Sequence, residues 1–340
     1  MSKVIIIAEA GVNHNGDIHM AKKLIDKAAE AGADYVKFQT FKTEKLVSAS
    51  AKKAEYQQKN MSDDASDSQF QMLKKLELSV DQHHILIDYC KTKNIQFLST
   101  AFDLESIDLL VSLGIRLFKV PSGEITNLPY LRKIGSLKEQ VIVSTGMCVM
   151  EEIKDAVEVL IKAGTSRENI SVLHCTTDYP TAFSDVNLNA MLSIQRELNI
   201  PVGYSDHTLG IEVPVAAVAM GASIIEKHFT LDKTLPGPDH RASLEPGELK
   251  NMICAIRNIE LSLGSGEKHP TVTERKNMLV ARKSMHLAQD LTKGHLITES
   301  DLIMKRPGDG ISPMEIDKVI GKQLLKDLVA EHKLNWEDLG

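Results

Sequence analysis

The sequence has few cysteines, no long apolar run and little net charge, and each shortage excludes a class of protein. Its 340 residues include only four cysteines, Cys90, Cys148, Cys175 and Cys254, and no two of them form a CxxC pair. Cysteines spaced so widely are typical of reduced thiols rather than of a disulfide framework. The sequence therefore predicts a cytoplasmic protein.

Neither a membrane nor a nucleic acid is expected as a partner. No stretch of 18 apolar residues is present, and the apolar run near the N-terminus is short and lacks a signal-peptide cleavage pattern. The formal net charge of −6 gives no general attraction to nucleic acid or to an anionic membrane. Lysines that gather at one place would therefore serve a local purpose.

Eight apolar runs rich in β-branched residues recur along the chain. They begin at Val4, Tyr35, Ile95, Leu117, Val141, Ile170, Pro201 and Ser223. Continuous apolar runs suit parallel strands that are buried on both faces, and segments with helical periodicity lie between them. Eight such units predict a (β/α)8 TIM barrel. A doubly wound sheet is the alternative, but the glycine-rich phosphate fingerprint that usually accompanies it is absent.

Composition divides the chain into a barrel and a small C-terminal module. We predict a catalytic barrel over residues 1–263, a Gly/Pro/charged linker over 264–280 and a separate module over 281–340. The polar segment 48–68, between the second and third runs, reads as an inserted loop that could act as a lid.

The apolar runs all end in polar residues, which a barrel gathers at its C-terminal face, where active sites lie. In chain order these ends contribute Glu9, Asn13 and His14; Lys37 and Gln39; Ser99 and Thr100; Lys119, Ser122 and Glu124; Ser144 and Thr145; His174, Thr176, Thr177 and Tyr179; Ser205, Asp206 and His207; Glu226, Lys227 and His228; and, just beyond, Asp239. Lysines with hydroxyls can hold a phosphate, and histidines beside a carboxylate can hold an open metal site. Glu9 and Glu124 are candidates for proton transfer.

These residues leave three functions open. One is a Schiff-base aldolase that uses a barrel lysine, although Lys37 and Lys119 could equally be structural ion pairs with Glu9 or Glu124. Another is a metal-assisted carbon–carbon condensation of a phosphorylated small molecule. The third is a non-catalytic sugar-phosphate binding module. An aldolase does not need two strand-end histidines, and a non-catalytic binding module does not need paired carboxylates.

The motifs taken together resemble the N-acetylneuraminate (sialic acid) synthase family, which includes the related legionaminate synthases. The matching pieces are AEAGVNHNG from Ala8, VKFQTFK from Val36, KAEYQ from Lys53, KVPSGEITNLPYL from Lys119, STGM from Ser144, LHCTTDYPT from Leu173, YSDHTLG from Tyr204, EKHFTLDKTLPGPDHRAS from Glu226 and KRPGDGISP from Lys305. The match runs in order over nearly the whole chain. It implies a (β/α)8 barrel followed by a C-terminal domain that resembles type III antifreeze protein, the SAF domain.

The resemblance implies that phosphoenolpyruvate, N-acetylmannosamine and water react to give N-acetylneuraminate and phosphate. The alternative is an N,N'-diacetyllegionaminate synthase, which takes a 2,4-diacetamido-2,4,6-trideoxy mannose-type sugar. Three residues depart from common neuraminate-synthase patterns, namely Thr177 in place of Asn, Phe38 in place of His and Ala101 in place of Pro. These departures bear on which acceptor sugar is used.

Site roles follow from the same motifs. His207 and His228 would bind a divalent ion, Mn²⁺ first, with Mg²⁺ or Co²⁺ as alternatives. Phosphoenolpyruvate would be held by Lys119, Ser122, Ser144 and Ser205, and the acceptor sugar by Gln39, Glu124, Tyr179 and Asp239, with Thr177 beside both. Glu9 would activate the attacking water, and Lys37 would support the carboxylate or phosphate. Family members are homodimers with a swapped C-terminal domain, so Arg306 would reach the partner's sugar.

Overall fold

The apolar runs form eight parallel strands that close into a barrel, as the sequence predicts. A computed structural model describes residues 3–48, 50–53 and 68–340, so most of the predicted lid, 48–68, lies outside the described residues. The barrel strands are β1 Ile5–Gly11, β2 Tyr35–Thr40, β3 Gln96–Ala101, β4 Leu117–Val120, β5 Gln140–Ser144, β6 Ile170–Cys175, β7 Val202–Asp206 and β8 Ile224–His228. Each strand pairs with the next in the chain, and β8 pairs with β1.

Helices alternate with the strands and cover the barrel. Those of the first unit are α1 Ile18–Ala31, α2 Thr43–Leu46, α3 Gln69–Lys74, α4 Val80–Thr92, α5 Leu104–Ser112, α6 Leu128–Ser136, α7 Met150–Ala163, α8 Asn189–Leu198, α9 Glu212–Ala219 and α10 Pro246–Ser262. Local sequence fixes their ends. Asp17 caps the start of α1 by accepting from His19 N, and Gly32 ends it in the left-handed conformation at φ 88°. In the described part of the chain, no helix has the length and apolarity needed to span a bilayer.

Strand register brings the polar ends to one level. Glu9 on β1 pairs with Lys37 on β2 and with His228 on β8, while Ser205 on β7 pairs with Glu226 on β8. One layer below, Ile7, Leu98, Ile142, Leu173 and Ile224 form an apolar cluster. Since alternate residues of a strand point to opposite faces, charged and hydroxyl side chains line the mouth of the barrel above a closed apolar floor.

The chain forms two compact units, Met1–Gly264 and Ser265–Gly340. The second contains α11 Val272–Ala281, α12 Ile316–Val319 and the antiparallel strands β9 Ser284–Leu287 and β10 Leu302–Lys305. Its own core consists of Met285, Leu287, Leu291, Ile297, Leu302, Ile311, Val319, Leu324, Leu328, Leu334 and Leu339.

Helix α11 occupies the second half of the segment that composition predicts as a linker, 264–280. Thr271 and Glu274 form a capping box at its start, in which each side chain bonds to the other residue's backbone N–H. The charged composition of the segment predicted a linker and not a helix, although the TVTE sequence from Thr271 contains the capping signal.

A buried carboxylate makes the second unit sensitive to acid. Asp301 accepts bonds from the backbone N–H and hydroxyl of Thr298 and from the Gln289 amide, and lies 2.9 Å from His295 Nε2. Burial raises the pKa of Asp301, but these bonds outweigh burial and lower it below its ordinary value. A lowered pKa contributes stability above the unfolded pKa, and this contribution is lost as the pH falls below about 4.

We expect Asp301→Asn to destabilise the second unit by about 1–3 kcal/mol at neutral pH, because several part-buried hydrogen bonds lose their charged acceptor. The difference between the variant and the parent in the free energy of unfolding should become smaller as the pH is lowered. Trp336 is the chain's single tryptophan and lies in this unit, so its fluorescence during denaturant unfolding measures the effect. Asp317→Asn at an exposed position is the control. Equal stability of both variants and the parent would contradict the account.

Candidate active site

Two lysines and two glutamates form a buried network at the barrel mouth. The Lys37 ammonium lies 2.7 Å from Glu9 Oε1 and 3.3 Å from Glu226 Oε2, and it donates to Thr100 Oγ1 at 2.9 Å. Glu226 Oε1 in turn accepts from Lys119 Nζ at 3.0 Å. The four charges balance, which permits their burial, and the Lys37 ammonium is held by side chains from β1, β3 and β8.

Mutual attraction keeps this network ionised. Burial by itself raises the pKa of Glu9, but His228, Lys37 and Lys119 outweigh it and hold that pKa well below its ordinary value. Burial also raises the pKa of Glu226, and the two lysines reverse the direction. For Lys37, burial lowers the pKa, but Glu226 and Glu9 raise it overall. At neutral pH, Lys37 is therefore a cation and both glutamates are anions.

Unsatisfied hydroxyls lie beside this network. The buried atoms Ser144 Oγ and Thr177 Oγ1 have no hydrogen-bond partner within the described ranges. Ser122 Oγ accepts from the backbone N–H of Gly146, and Ser205 Oγ donates to Glu226 Oε1. Buried polar groups are nearly always hydrogen-bonded, so orphan hydroxyls around a cavity point to a ligand with acceptor oxygens. Together with Lys119 they suit a phosphate or carboxylate group.

Gly146 is essential to this arrangement because a side chain there would meet the hydroxyls. A Cβ would lie 2.1 Å from Thr177 Oγ1 and 2.9 Å from Ser122 Oγ. We expect Gly146→Ala to raise the KM for phosphoenolpyruvate, the substrate that the motif resemblance implies, about tenfold or more, since displaced hydroxyls would lose bonds worth about 1–3 kcal/mol. Gly247→Ala, where the Cβ meets nothing within 4 Å, is the control for steady-state kinetics. An unchanged KM in both variants would contradict this assignment.

The two predicted metal ligands lie side by side, with ring centroids 5.5 Å apart. His207 Nδ1 is 2.7 Å from the carbonyl oxygen of Thr176, which leaves Nε2 to carry the lone pair when the ring is neutral. His228 Nε2 lies 3.3 Å from Glu9 Oε2, while its buried Nδ1 has no hydrogen-bond partner in the described part of the chain. Metal-bound histidines typically direct the other ring nitrogen to a carbonyl or carboxylate.

This donor set fits an open divalent-metal site. Residues 3–48, 50–53 and 68–340 contain no group of three or more His, Cys, Asp or Glu side chains arranged to hold an ion. Two imidazoles alone would leave the remaining coordination positions to substrate and water, which is what a Lewis-acid site requires. The Asp239 carboxylate is 4.0 Å from His228 Nδ1.

These groups line one cavity of about 380 Å³. Eleven of the predicted site residues border it: Glu9, Lys37, Gln39, Lys119, Ser122, Ser144, Thr177, Tyr179, Ser205, His207 and His228. Asp239 borders an adjoining chamber of about 240 Å³. The barrel thus brings together residues that are distant in sequence, as the eight polar strand ends predict.

Two predicted residues lie elsewhere. Glu124 is half-buried at the end of a short 3₁₀ turn, where it accepts from Asn127 Nδ2 at 2.6 Å, and it borders neither cavity. Burial raises its pKa, against the opposing bond from Asn127. Arg306 is exposed in the second unit, where its Nε donates to the carbonyl oxygen of Ala281.

Sequence reasoning placed Glu226 at a strand end but assigned it no role. The structure makes it the residue that connects Lys37, Lys119 and Ser205. Its position two residues before His228, on the same face of β8, is the signal that could have identified it. Thr100, which was likewise named only as a polar strand end, and Cys175 also border the cavity.

The site lies at the C-terminal mouth of a (β/α)8 barrel. Its buried lysines, unpartnered hydroxyls and paired imidazoles are typical of barrel enzymes that bind an anionic substrate. Within that class, the chain belongs to the NeuB family: residues 24–268 match the family, and residues 282–339 match the SAF domain. The resemblance seen in the motifs is therefore confirmed, and so is the fold of a TIM barrel with a C-terminal SAF domain.

Two curated relatives and one solved structure, each named as a synthase or synthetase, are similar to this chain over most of its length. The chain is 54% identical to the N,N'-diacetyllegionaminic acid synthase of Campylobacter jejuni, covering 96% of this chain and 97% of that protein. It is 50% identical to the enzyme of the same name from Legionella pneumophila, covering 98% and 94%. A crystal structure of N-acetylneuraminic acid synthetase from Leptospira borgpetersenii superposes with a TM-score of 0.70 at 34% identity, covering 82% and 90%. The chain is thus a condensing synthase of this family.

Proposed function

We propose that the protein is an N,N'-diacetyllegionaminate synthase, which condenses phosphoenolpyruvate with a 2,4-diacetamido-2,4,6-trideoxy mannose-type sugar. The observation that carries this proposal is the 54% and 50% identity to two synthases of that name over nearly the whole chain. The solved neuraminic acid synthetase is more distant, at 34%. N-acetylmannosamine, which the motifs alone favoured as acceptor, is therefore replaced by the diacetamido sugar.

Phosphoenolpyruvate binds where the cations and hydroxyls meet. Lys119 offers an ammonium, and Ser144 and Thr177 offer hydroxyls that have no hydrogen-bond partner in the described ranges. Ser122 is positioned by the Gly146 N–H. Lys37 is held between two carboxylates and supports the anion at longer range.

His207 and His228 hold the divalent ion, for which Mn²⁺ is our first choice and Mg²⁺ or Co²⁺ are alternatives. When bound, the ion polarises the aldehyde of the acceptor sugar as a Lewis acid. The Thr176 carbonyl fixes the His207 ring through Nδ1, and Glu9 fixes the His228 ring through Nε2. His207 Nε2 and His228 Nδ1 would then be the nitrogens available to the ion. Gln39, Tyr179 and Asp239 orient the sugar in the adjoining chamber.

Glu9 receives the proton of the attacking water. The C2=C3 π electrons of phosphoenolpyruvate form the new bond from carbon 3 to the aldehyde carbon, and the aldehyde oxygen becomes a hydroxyl by taking up the proton that Glu9 receives from water. The oxygen of water bonds to the electron-deficient carbon 2, and its remaining proton leaves with the phosphate as carbon 2 becomes a ketone. The bond from carbon 2 to the bridging oxygen then breaks and releases phosphate. Glu9 is our candidate for this role because it is an anion at neutral pH and borders the catalytic cavity beside His228.

A Schiff-base aldolase is disfavoured by the state of the lysines. A nucleophilic lysine must lose its proton, yet Lys37 has a raised pKa and lies between Glu9 and Glu226. The lowered pKa of Lys227 comes first from burial, but this residue is fully buried against Asp206 and does not border the cavity.

The experiment is phosphate release from phosphoenolpyruvate with each acceptor sugar, with and without Mn²⁺. We expect release with the diacetamido sugar that stops on chelation. Release only with N-acetylmannosamine would replace the proposed acceptor. Release that is insensitive to chelator, together with a borohydride-trapped lysine adduct, would favour the aldolase. Absence of release with any acceptor would favour a binding module.

We further propose a homodimer in which Arg306 completes the partner's sugar site. Its guanidinium is exposed in the second unit and so is available to another subunit. Mixing an Arg306→Ala subunit with a Glu9→Gln subunit should restore part of the activity, because one site of each mixed dimer contains intact parts. Activity no higher than that of the unmixed variants would argue against shared sites.

A further inference from the structure

The chamber that adjoins the catalytic cavity continues directly from it. Both are bordered by Gln39, Gln69, Phe102, Tyr179 and His228. His228 borders both cavities, so the chamber is space open to the rest of a sugar whose aldehyde lies beside this residue. The chamber therefore meets the part of the acceptor that does not react.

One wall of this chamber is apolar. It consists of Val12, Leu46, Val47, Met72, Leu73, Leu76 and Phe102. Val12, Met72 and Leu76 belong to a buried cluster with Phe41, and Leu46, Leu73 and Phe102 pack against that cluster. The wall is thus backed by packed side chains from α2, α3 and the ends of β1–β3.

The wall itself carries no hydrogen-bonding side chain. A sugar hydroxyl pressed against it would lose its water without a replacement bond, which is costly, whereas a methyl group there gains from burial. The polar groups of the chamber are Gln39, Gln69, Tyr179, His228 and Asp239. They can bond acetamido and hydroxyl groups elsewhere on the sugar but do not change the apolar character of the wall.

We infer that this apolar wall selects the acceptor by its unreactive end, accepting the methyl group of a 6-deoxy sugar and discriminating against a 6-hydroxyl. This inference rests on the proposed function, since it concerns the acceptor of that same reaction. Leu46, Leu73 and Phe102 are the specificity-determining residues, because they are only partly buried against the cluster behind them and border the chamber.

The test compares two sugars that differ in a single oxygen atom, 2,4-diacetamido-2,4,6-trideoxymannose and its 6-hydroxy counterpart. At saturating phosphoenolpyruvate, we expect the parent to favour the deoxy sugar in kcat/KM by about 10- to 100-fold. Leu73→Asn should bring that ratio about tenfold closer to one, mainly by reducing kcat/KM for the deoxy sugar. Leu73→Met, which keeps an apolar surface of similar volume, should retain the parent's ratio.

The KM for phosphoenolpyruvate separates specificity from general damage, because Leu73 does not border the catalytic cavity. This KM should be unchanged in both Leu73 variants. Leu46→Asn tests the same wall at a second position if Leu73→Asn folds poorly. A parent ratio near one, or a ratio that neither Asn variant changes, overturns the inference while the proposed function stands. An equal loss for both sugars also overturns it. If the parent uses neither diacetamido sugar, the proposed function itself fails.

Discussion

Replacing Glu9 by Gln is expected to reduce kcat by about 10²- to 10⁴-fold, the range for loss of a general base. The amide keeps the shape of the side chain but cannot accept the proton of the attacking water. It also removes a negative charge beside Lys37 and His228. Binding of Mn²⁺ should persist, because both imidazoles remain and the amide oxygen can still accept from His228 Nε2.

The measurement is steady-state phosphate release, combined with Mn²⁺ titration of each protein. Glu248→Gln is the matched control, since Glu248 is a carboxylate paired with Lys233 away from the catalytic cavity. The control should keep the parent's turnover. Near-normal turnover of Glu9→Gln would remove Glu9 from the proposed reaction.

Removing the divalent ion is expected to reduce turnover by about three orders of magnitude, because polarisation of a carbonyl supplies several kcal/mol of transition-state stabilisation. Excess Mn²⁺ should restore the activity of the parent. In His228→Gln, affinity for Mn²⁺ should fall together with turnover, because only His207 remains as a protein ligand.

His83→Asn is the control for the histidine variant. This imidazole is also fully buried, but it bonds to Thr40 and to the carbonyl of Ser79 and does not border the cavity. The control should keep the parent's affinity for Mn²⁺ in calorimetric titrations. Undiminished affinity in His228→Gln would exclude the proposed ligand pair, and chelator-insensitive turnover would exclude metal assistance.

The barrel could be predicted from sequence because its strands are continuous apolar runs that end in polar residues. Each strand is buried on both faces, so a run such as VIIIAEAG at Val4 has few other stable environments. The closed order of strands then requires their ends to converge. That is why Glu9, Lys119 and His228, although far apart in sequence, could be assigned to one site.

What the sequence did not reveal depends on contacts between strands and between distant segments. Glu226 was one polar strand end among many until its distances to Lys37 and Lys119 were known. The apolar wall draws Leu46 and Met72 from either side of a polar insertion, where isolated apolar residues carry no periodic signal. Glu124 was assigned to the site because it lies in a matching motif, but its side chain borders neither cavity.

The most direct test of the proposed function is a competition between the two acceptors in one reaction. The protein is given phosphoenolpyruvate, Mn²⁺ and equal concentrations of N-acetylmannosamine and 2,4-diacetamido-2,4,6-trideoxymannose, and the early products are quantified by mass spectrometry. Their ratio equals the ratio of the two kcat/KM values. We predict that N,N'-diacetyllegionaminate predominates, whereas a predominance of N-acetylneuraminate would contradict the proposal.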